Sequence, residues 1–337
     1  NAVFLRNPAR DAVIAIDGVY SNPAGVAFLP QGFHLSLSWQ GAFQKRQITS
    51  NAPFYPLNTE NQKGEHFFEG ESVAPVIPSF QAAYVINDKW SVSAQFAVGG
   101  GGGKCEFDNG LPMFEKLVGA QLNNTVNGGF KPYSLNQSLT GEQYFYGVQI
   151  GGTYKITDMV SVFGGLRGVI ARSGYTGAIR NITLDGKNSA YYAQASLDAA
   201  NVAKMYQAAG DMAAAGMYAD LAQKAGTASY VMQDLVLDCD QSAFGVTPIL
   251  GVDVNLGKLN LAAKYEFRTK INFENESNNS ENLAALATQV PAVAVYADGA
   301  KVRSDIPALL TFGAQYSILK NLRAMGELWR LHLQRLP

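Results

Sequence analysis

The sequence predicts an all-β fold, a transmembrane antiparallel β-barrel, and three observations carry that expectation. Residues 33–44, FHLSLSWQGAFQ, place Phe33, Leu35, Leu37, Trp39 and Phe43 at odd positions and His34, Ser36, Ser38, Gln40 and Gln44 at even ones. Successive side chains of an extended strand point to opposite faces, so this segment has one apolar and one polar side. Later segments repeat the pattern. Between them short polar turns alternate with long loops, the asymmetry of barrels with short periplasmic and long external connections.

Residues 1–31 come first in the chain. Asn7-Pro8 and Asn22-Pro23 are turn signals, and the apolar residues between them have no clean period, which fits a compact irregular plug. Strands are expected at 33–46, 76–86, 90–98, 143–155, 159–171, 243–255, 259–269 and 305–317, with a ninth that fades after Leu322. Turns fall at 87–89, 156–158, 256–258 and 319–321, and loops at 47–73, 99–142, 173–241 and 271–304. Arg167, Lys264, Glu266 and Arg268 share the polar side of their strands. That side must face inward, because an Arg or Lys in lipid at the midplane costs about 2–4 kcal/mol. Residues 32–337 are therefore read as barrel and 1–31 as its plug.

Within the loop 173–241 a helical insertion is expected. From Ser189 to Gly226, Tyr191, Ala195, Ala199, Val202, Tyr206, Ala209, Ala213, Met217 and Leu221 recur at three- and four-residue steps, one stripe of a helix. Gly210-Asp211 can split it in two, with Asp211 as an N-cap.

Composition narrows the function. Of the 337 residues 47% are apolar and 16% charged, against about a quarter charged in soluble domains. No run of about 18 apolar residues occurs, so helical membrane spans are excluded, whereas barrel strands are not. A net charge of −1 gives no electrostatic reason to expect nucleic acid. There is no G-x-S-x-G, no H-E-x-x-H and no phosphate loop, and His34, His66 and His332 have no recognisable catalytic partner. No enzymatic activity, metal or cofactor is expected. Cys105 and Cys239 fall in expected external loops, where a disulfide and two separate thiols are both open readings. Asn1 is not preceded by a basic and apolar leader, so a signal peptide is expected to be already removed, and the final RLHLQRLP reads as a truncated end.

The stretch Tyr20 to Leu29, YSNPAGVAFL, followed by the strand opening GFHLSLSWQ, resembles the FadL family of outer-membrane transporters for long-chain fatty acids and related hydrophobic compounds. Asn22-Pro23-Ala24 is the sharpest part of the likeness, and the strand-and-loop rhythm extends it over nearly the whole chain. The resemblance implies a fourteen-stranded barrel, of which about nine strands are counted here, so the chain reads as a fragment of such a transporter. It also implies an N-terminal hatch, capture of ligand among external loops, and sideways release at a kinked third strand. Localisation in the bacterial outer membrane, contact with its lipid and a monomeric state follow from the same likeness.

Candidate residues follow. Asn22, Pro23 and Ala24 form the hatch motif. By their inward phase Arg167, Lys264, Arg268 and His34 are lumen candidates. A fatty-acid carboxylate would want a cation there, although pairing with Glu266, Asp253, Asp11 or Asp17 is the competing reading. Gly99, Gly100 and Gly101 are candidates for a lateral gate, since glycine permits bulges; a flexible loop leader is the alternative. Met205, Tyr206, Met212 and Met217 are candidates for an external groove. The expected function is passive uptake of hydrophobic molecules, foremost long-chain fatty acids. The alternatives are an aromatic-hydrocarbon channel of the same fold and a surface adhesin or structural barrel.

Overall fold

The computed structural model describes residues 9–286 and 291–332. Its strands are β1 (Gly32–Asn51), β2 (Glu65–Val85), β3 (Trp90–Phe107), β4 (Tyr133–Lys155), β5 (Val160–Leu184), β6 (Leu235–Leu256), β7 (Leu259–Glu266), β8 (Asn272–Ser277), β9 (Lys301–Arg303), β10 (Ala308–Leu319) and β11 (Leu322–His332). Nine of them run in the order β1-β2-β3-β4-β5-β6-β7-β10-β11, each antiparallel to its neighbour, while β8 and β9 form a side ribbon on β6. Among the described residues β1 and β11 have no further partner, so the sheet is open. It is also curled, because the short segment Arg10–Phe28 reaches β2, β3, β4, β5, β6, β7, β10 and β11 together. A flat sheet of nine strands would be about 40 Å wide at 4.7–4.9 Å per strand, too wide for that. The architecture is an incomplete barrel of the expected kind. No helix among the described residues is long and apolar enough to cross a membrane.

The face assignment holds along the wall. Phe33 is 65% exposed, Leu37 79% and Ile150 67%, whereas Gln81, Gln95, Gln149 and Thr153 are buried on the concave side. This inverts a soluble protein, in which large apolar side chains go inside. Aromatic pairs bracket the apolar band: Trp90 and Tyr154 near the short turns (ring centroids 4.7 Å apart), Tyr144 and Tyr146 toward the long loops (5.9 Å).

Several boundaries differ from expectation for one reason. Beyond the aromatic band the strands keep pairing, but their outer face turns from apolar to charged. Lys45 bridges Glu69 at 3.2 Å and Glu71 at 3.5 Å across β1 and β2, and Lys104 pairs with Glu106 on β3. Outside lipid a strand needs no greasy side, so the alternating signal stops while the hydrogen bonds continue. Hence the loops shrink to 52–64, 108–132 and 185–234, and the glycine run lies inside β3 and not in a loop. Cys105 and Cys239 likewise lie in β3 and β6, both as free thiols and with two strands between them. The connection 271–304 contains β8 and β9. The ninth strand does not fade: β11 pairs with β10 from Leu322↔Leu319 to His332↔Ala308. Residues 333–337 of the terminal stretch, and 1–8 of the plug, lie outside the described residues.

The helical insertion is two helices, Ser189–Ala208 and Met212–Val231, with Asp211 accepting a 3.0 Å bond from Ala214 N. Its buried face is alanine (Ala199, Ala215, Ala222, Ala225, Ala228); it shares Ala199 with the expected stripe, whose Tyr191, Met217 and Leu221 are exposed. Gly210 takes φ +81 and reverses the chain, so residues before and after it cannot share one helical face.

Ile150 lies midway between the two aromatic levels of β4. Ile150→Arg should lower the stability of protein refolded into lipid bilayers by about 2–4 kcal/mol and leave that of detergent-solubilised protein nearly unchanged. Equal effects in the two media would contradict a lipid-facing wall.

Candidate functional site

The concave side carries a polar row that neighbour pairing puts at one height: Gln81 on β2, Gln95 on β3, Gln149 on β4 and Arg167 on β5. Gln95 Nε2 donates to Gln149 Oε1 at 3.2 Å, and Arg167 Nη2 donates to the same oxygen at 2.9 Å. Arg167 then makes a two-pronged pair with Glu266, at 2.7 and 3.1 Å, and Lys264 reaches that carboxylate at 2.9 Å. Two cations thus share one buried anion, and the fork geometry suits Arg167. Arg268 lies just past the end of β7, 3.6 Å from Asp305. His34 faces inward on β1 and donates through Nε2 to Pro30 O at 2.7 Å.

Against this row lies the N-terminal segment, a helical turn (Gly18–Ser21) and a 3₁₀ turn (Pro23–Phe28). Some of its carbonyls are met by its own N–H groups, as Arg10 O by Val13 N and Asn22 O by Gly25 N; wall side chains supply donors to others. Gln149 Nε2 reaches Val19 O (3.1 Å), Thr153 Oγ1 Pro23 O (3.0 Å), Ser161 Oγ Ala24 O (2.7 Å) and Asn260 Nδ2 Ala12 O (2.8 Å). Asn22 does two jobs. Its Oδ1 accepts from Ala24 N at 3.3 Å, closing the turn, and its Nδ2 donates to Val252 O on β6 at 2.9 Å. The motif residues Asn22, Pro23 and Ala24 are all buried. Gly251 leaves the room they occupy, since a Cβ there would sit 2.5 Å from Asn22 Oδ1.

Sequence reasoning missed three anchors of this segment. Glu327 Oε2 on β11 accepts from Arg10 N (2.7 Å) and Asp11 N (3.2 Å), Thr311 on β10 donates to the Asp11 carboxylate, and Asn260 holds Ala12. The inward phase of Thr311 and Asn260 was readable and that of Glu327, beyond the point where alternation fades, was not; nothing in sequence shows which inward residues meet the segment.

The second feature is a break in the wall. Pairing of β2 with β3 jumps from Val73↔Lys104 to Ser79↔Ala97, and β3 with β4 shifts at Gly100 and again before Gly103. β2 carries Pro75 and Pro78 here, which have no N–H to donate. Opposite them, Gly101 takes φ +98 and Gly103 φ +71. A Cβ on Gly101 would lie 2.0 Å from Gln143 O, so only glycine fits. The break opens a cavity of about 500 Å³ bordered by inward Gln44, Arg46 and Ser72, by outward Val76, Tyr144 and Tyr146, and by Gly100–Gly103. Its rim draws on residues of both faces of the wall. Gly100 and Gly101 of the sequence candidates border it; Gly99 does not.

The third feature is an apolar pocket of about 260 Å³ at the loop end. Met113, Phe114 and Leu117 come from the loop 108–132, Ile179 from β5, Leu235 and Leu237 from β6, and Leu283 and Tyr296 from the last long connection. Burial pushes the Tyr296 phenol pKa up, so it lines the pocket uncharged. None of Met205, Tyr206, Met212 or Met217 borders this pocket. The methionines are exposed on the helical insertion, and Tyr206 stacks on Tyr218 at 5.5 Å. The described residues hold no cluster of three or more potential metal ligands.

No protein-family model and no curated protein matches the chain. Solved structures do. The toluene transporter TodX of Pseudomonas putida aligns at 16% identity over 94% of this chain and 65% of its own, with a TM-score of 0.50. A FadL homologue of Pseudomonas aeruginosa aligns at 11% identity over 95% and 65%, TM-score 0.52. A TodX mutant, described as a monoaromatic hydrocarbon channel, aligns at 15% over 96% and 69%, TM-score 0.50. The fold is the one these transporters have. The chain spans about 65% of the length of the first of them.

Glu266→Ala would leave Arg167 and Lys264 without their shared carboxylate. A loss of roughly 3–5 kcal/mol is expected for removing one partner of a buried ion pair, measurable as a shift in the urea midpoint of protein in lipid vesicles. Replacing all three residues with apolar ones of similar volume should recover most of it.

Proposed function

We propose that the chain belongs to a FadL-type outer-membrane transporter that passes small hydrophobic molecules from an external pocket to an opening in the barrel wall. The observation that carries this reading is the break between β2 and β3. In hydrocarbon every backbone group must be paired, so an interruption lined by prolines and glycines is costly in a purely structural wall or an adhesin. It is useful where a molecule must leave sideways. The polar docking of residues 9–31 supports their role as hatch, and Asn22-Pro23-Ala24 as its fastening to β6. Gly100 and Gly101 take part in the exit.

For the passenger, neutral molecules of the monoaromatic class fit better than long-chain fatty acids. The outer pocket is smaller than the about 300–1,000 Å³ of pockets that take drug-sized ligands, and its lining is almost wholly apolar. Inside, Arg167 and Lys264 are engaged by Glu266, and Arg268 by Asp305, so a carboxylate would have to displace an internal one.

Gly102 offers a clean test. A Cβ there would meet only Arg46 Nη2 at 3.6 Å, and its φ is ordinary, so Gly102→Phe fills the opening without backbone strain. Cells lacking their own hydrophobic-compound transporter and expressing the full reading frame should take up radiolabelled toluene faster than oleate. Gly102→Phe should cut the toluene rate several-fold at equal surface expression. Toluene uptake no faster than with empty vector would remove the transport reading and favour an adhesin.

A further inference from the structure

The cavity at the break holds a cation that no described residue meets. Arg46 stands on the inward side of β1 with Gln44, while Phe43 and Lys45 face outward. Lys45 engages the nearby carboxylates, Glu69 and Glu71, and all three stand on the outer face. On the inner face β2 offers Arg46 no acid. Its partner across the pair is Gly70, where a Cβ would lie 2.5 Å from the ring of Phe107. The next inward positions are Phe68 and Ser72, and Ser72 Oγ already donates to Gly102 O at 2.9 Å. Among the described residues neither Arg46 nor Gln44 has a hydrogen-bond or ion-pair partner.

Arg46 reaches into the break itself. Its Nη2 is 3.6 Å from the place a Cβ would take on Gly102. Around it Gly100–Gly103 have no ladder partner on β2, where pairing stops at Val73↔Lys104 and restarts at Ser79↔Ala97. No aspartate or glutamate lines the cavity. The remainder of its lining is apolar or aromatic, with Val76, Ile77, Tyr144 and Tyr146. The two tyrosines mark the aromatic level toward the long loops, the depth at which lipid headgroups meet the apolar band.

An occupant that satisfies this site is anionic and rich in acceptors at one end, and apolar at the other. Guanidinium matches phosphate oxygens in a two-pronged pair. A neutral passenger leaves the cation unmet. We propose that the break is a binding site for the phosphate headgroup of an anionic bilayer lipid, seated on Arg46 with its acyl chains along Tyr144 and Tyr146. Such a lipid fills the site between passages and yields to each passenger. The inference rests on the cavity facing the bilayer, as in the proposed function, but its test involves no transport.

The probe is phosphatidylglycerol with a photoreactive acyl chain, added to the full reading frame in nonionic micelles. Irradiation and peptide mapping should place adducts on the stretch holding Tyr144 and Tyr146. Arg46→Gln should lower that labelling roughly tenfold, the loss expected on removing a charge-assisted hydrogen bond, and Arg46→Lys only in part. Arg46 is exposed and unpaired, so neither variant disturbs the fold. Gly102→Phe fills the same space by another route and should lower labelling to a similar degree. A photoreactive diacylglycerol with the same chains should label the wild type no better than phosphatidylglycerol labels Arg46→Gln. Equal labelling by the two lipids, or labelling indifferent to Arg46→Gln, would overturn the site and leave an apolar groove. Displacement by inorganic phosphate or oleate as readily as by unlabelled phosphatidylglycerol would overturn the lipid as its occupant. Toluene uptake without lipid labelling would remove this site and leave transport standing; labelling without uptake would do the reverse.

Discussion

A strand wall in hydrocarbon has one source of hydrogen bonds for its backbone, the strand beside it. The wall meets that demand almost throughout. β5 pairs with β6 from Val160↔Val254 to Ile179↔Leu235 without a single shift in register. Among the described residues the one broad interruption between principal strands, at 74–78 of β2 against 98–103 of β3, falls on the sequences Ala-Pro-Val-Ile-Pro and Val-Gly-Gly-Gly-Gly-Gly. Two of the five β2 residues have no N–H to leave unpaired. The glycines permit the positive φ that the bulged β3 needs to rejoin β4. The prolines lower the backbone cost of the break without removing it.

The same accounting explains the interior. The segment 9–31 satisfies only part of its own carbonyls; it takes donors from β4, β5 and β7 and gives one, from Asn22 Nδ2, to Val252 O of β6. Alternation therefore serves two ends at once. The odd residues of β1 and their counterparts keep the wall in lipid, while the opposite face forms a polar bed shaped for one particular segment. Gly251 and Gly313 show how closely it is shaped, because a methyl group at either would strike Asn22 or Asp11.

Much of this was legible in the sequence, for reasons that can be named. Lipid enforces a period of two, so the number and phase of the principal strands could be read from Phe33–Phe43, Trp90–Val98 and Leu259–Phe267. Where lipid ends, the enforcement ends too. The charged outer reaches of β1, β2 and β3 therefore looked like loops, as did β8 and β9. Asn22 was visible because an Asx turn is a local event within three residues. Glu327 and Thr311 were not, because their partners stand about three hundred residues away in the chain. The pair Arg167–Glu266 was one of several inward pairings that phase allowed; only the register decided among them. Pro75 and Pro78 were plain in the sequence, yet their meaning depended on facing the glycines, a fact of pairing.

On the proposed function, polarity also separates two tasks. A plugged barrel on that reading must stop water and ions, and polar contacts fasten the plug to the wall. A hydrophobic passenger gains nothing from those contacts, and it would lose affinity by crossing them. Neither the apolar pocket at the loop end nor the cavity at the break near Tyr144 and Tyr146 is lined by Arg167, Lys264 or Glu266. On this reading the wall opening lets an oily molecule move from loops to bilayer along surfaces of its own kind, while the polar bed remains with the segment it was built to hold.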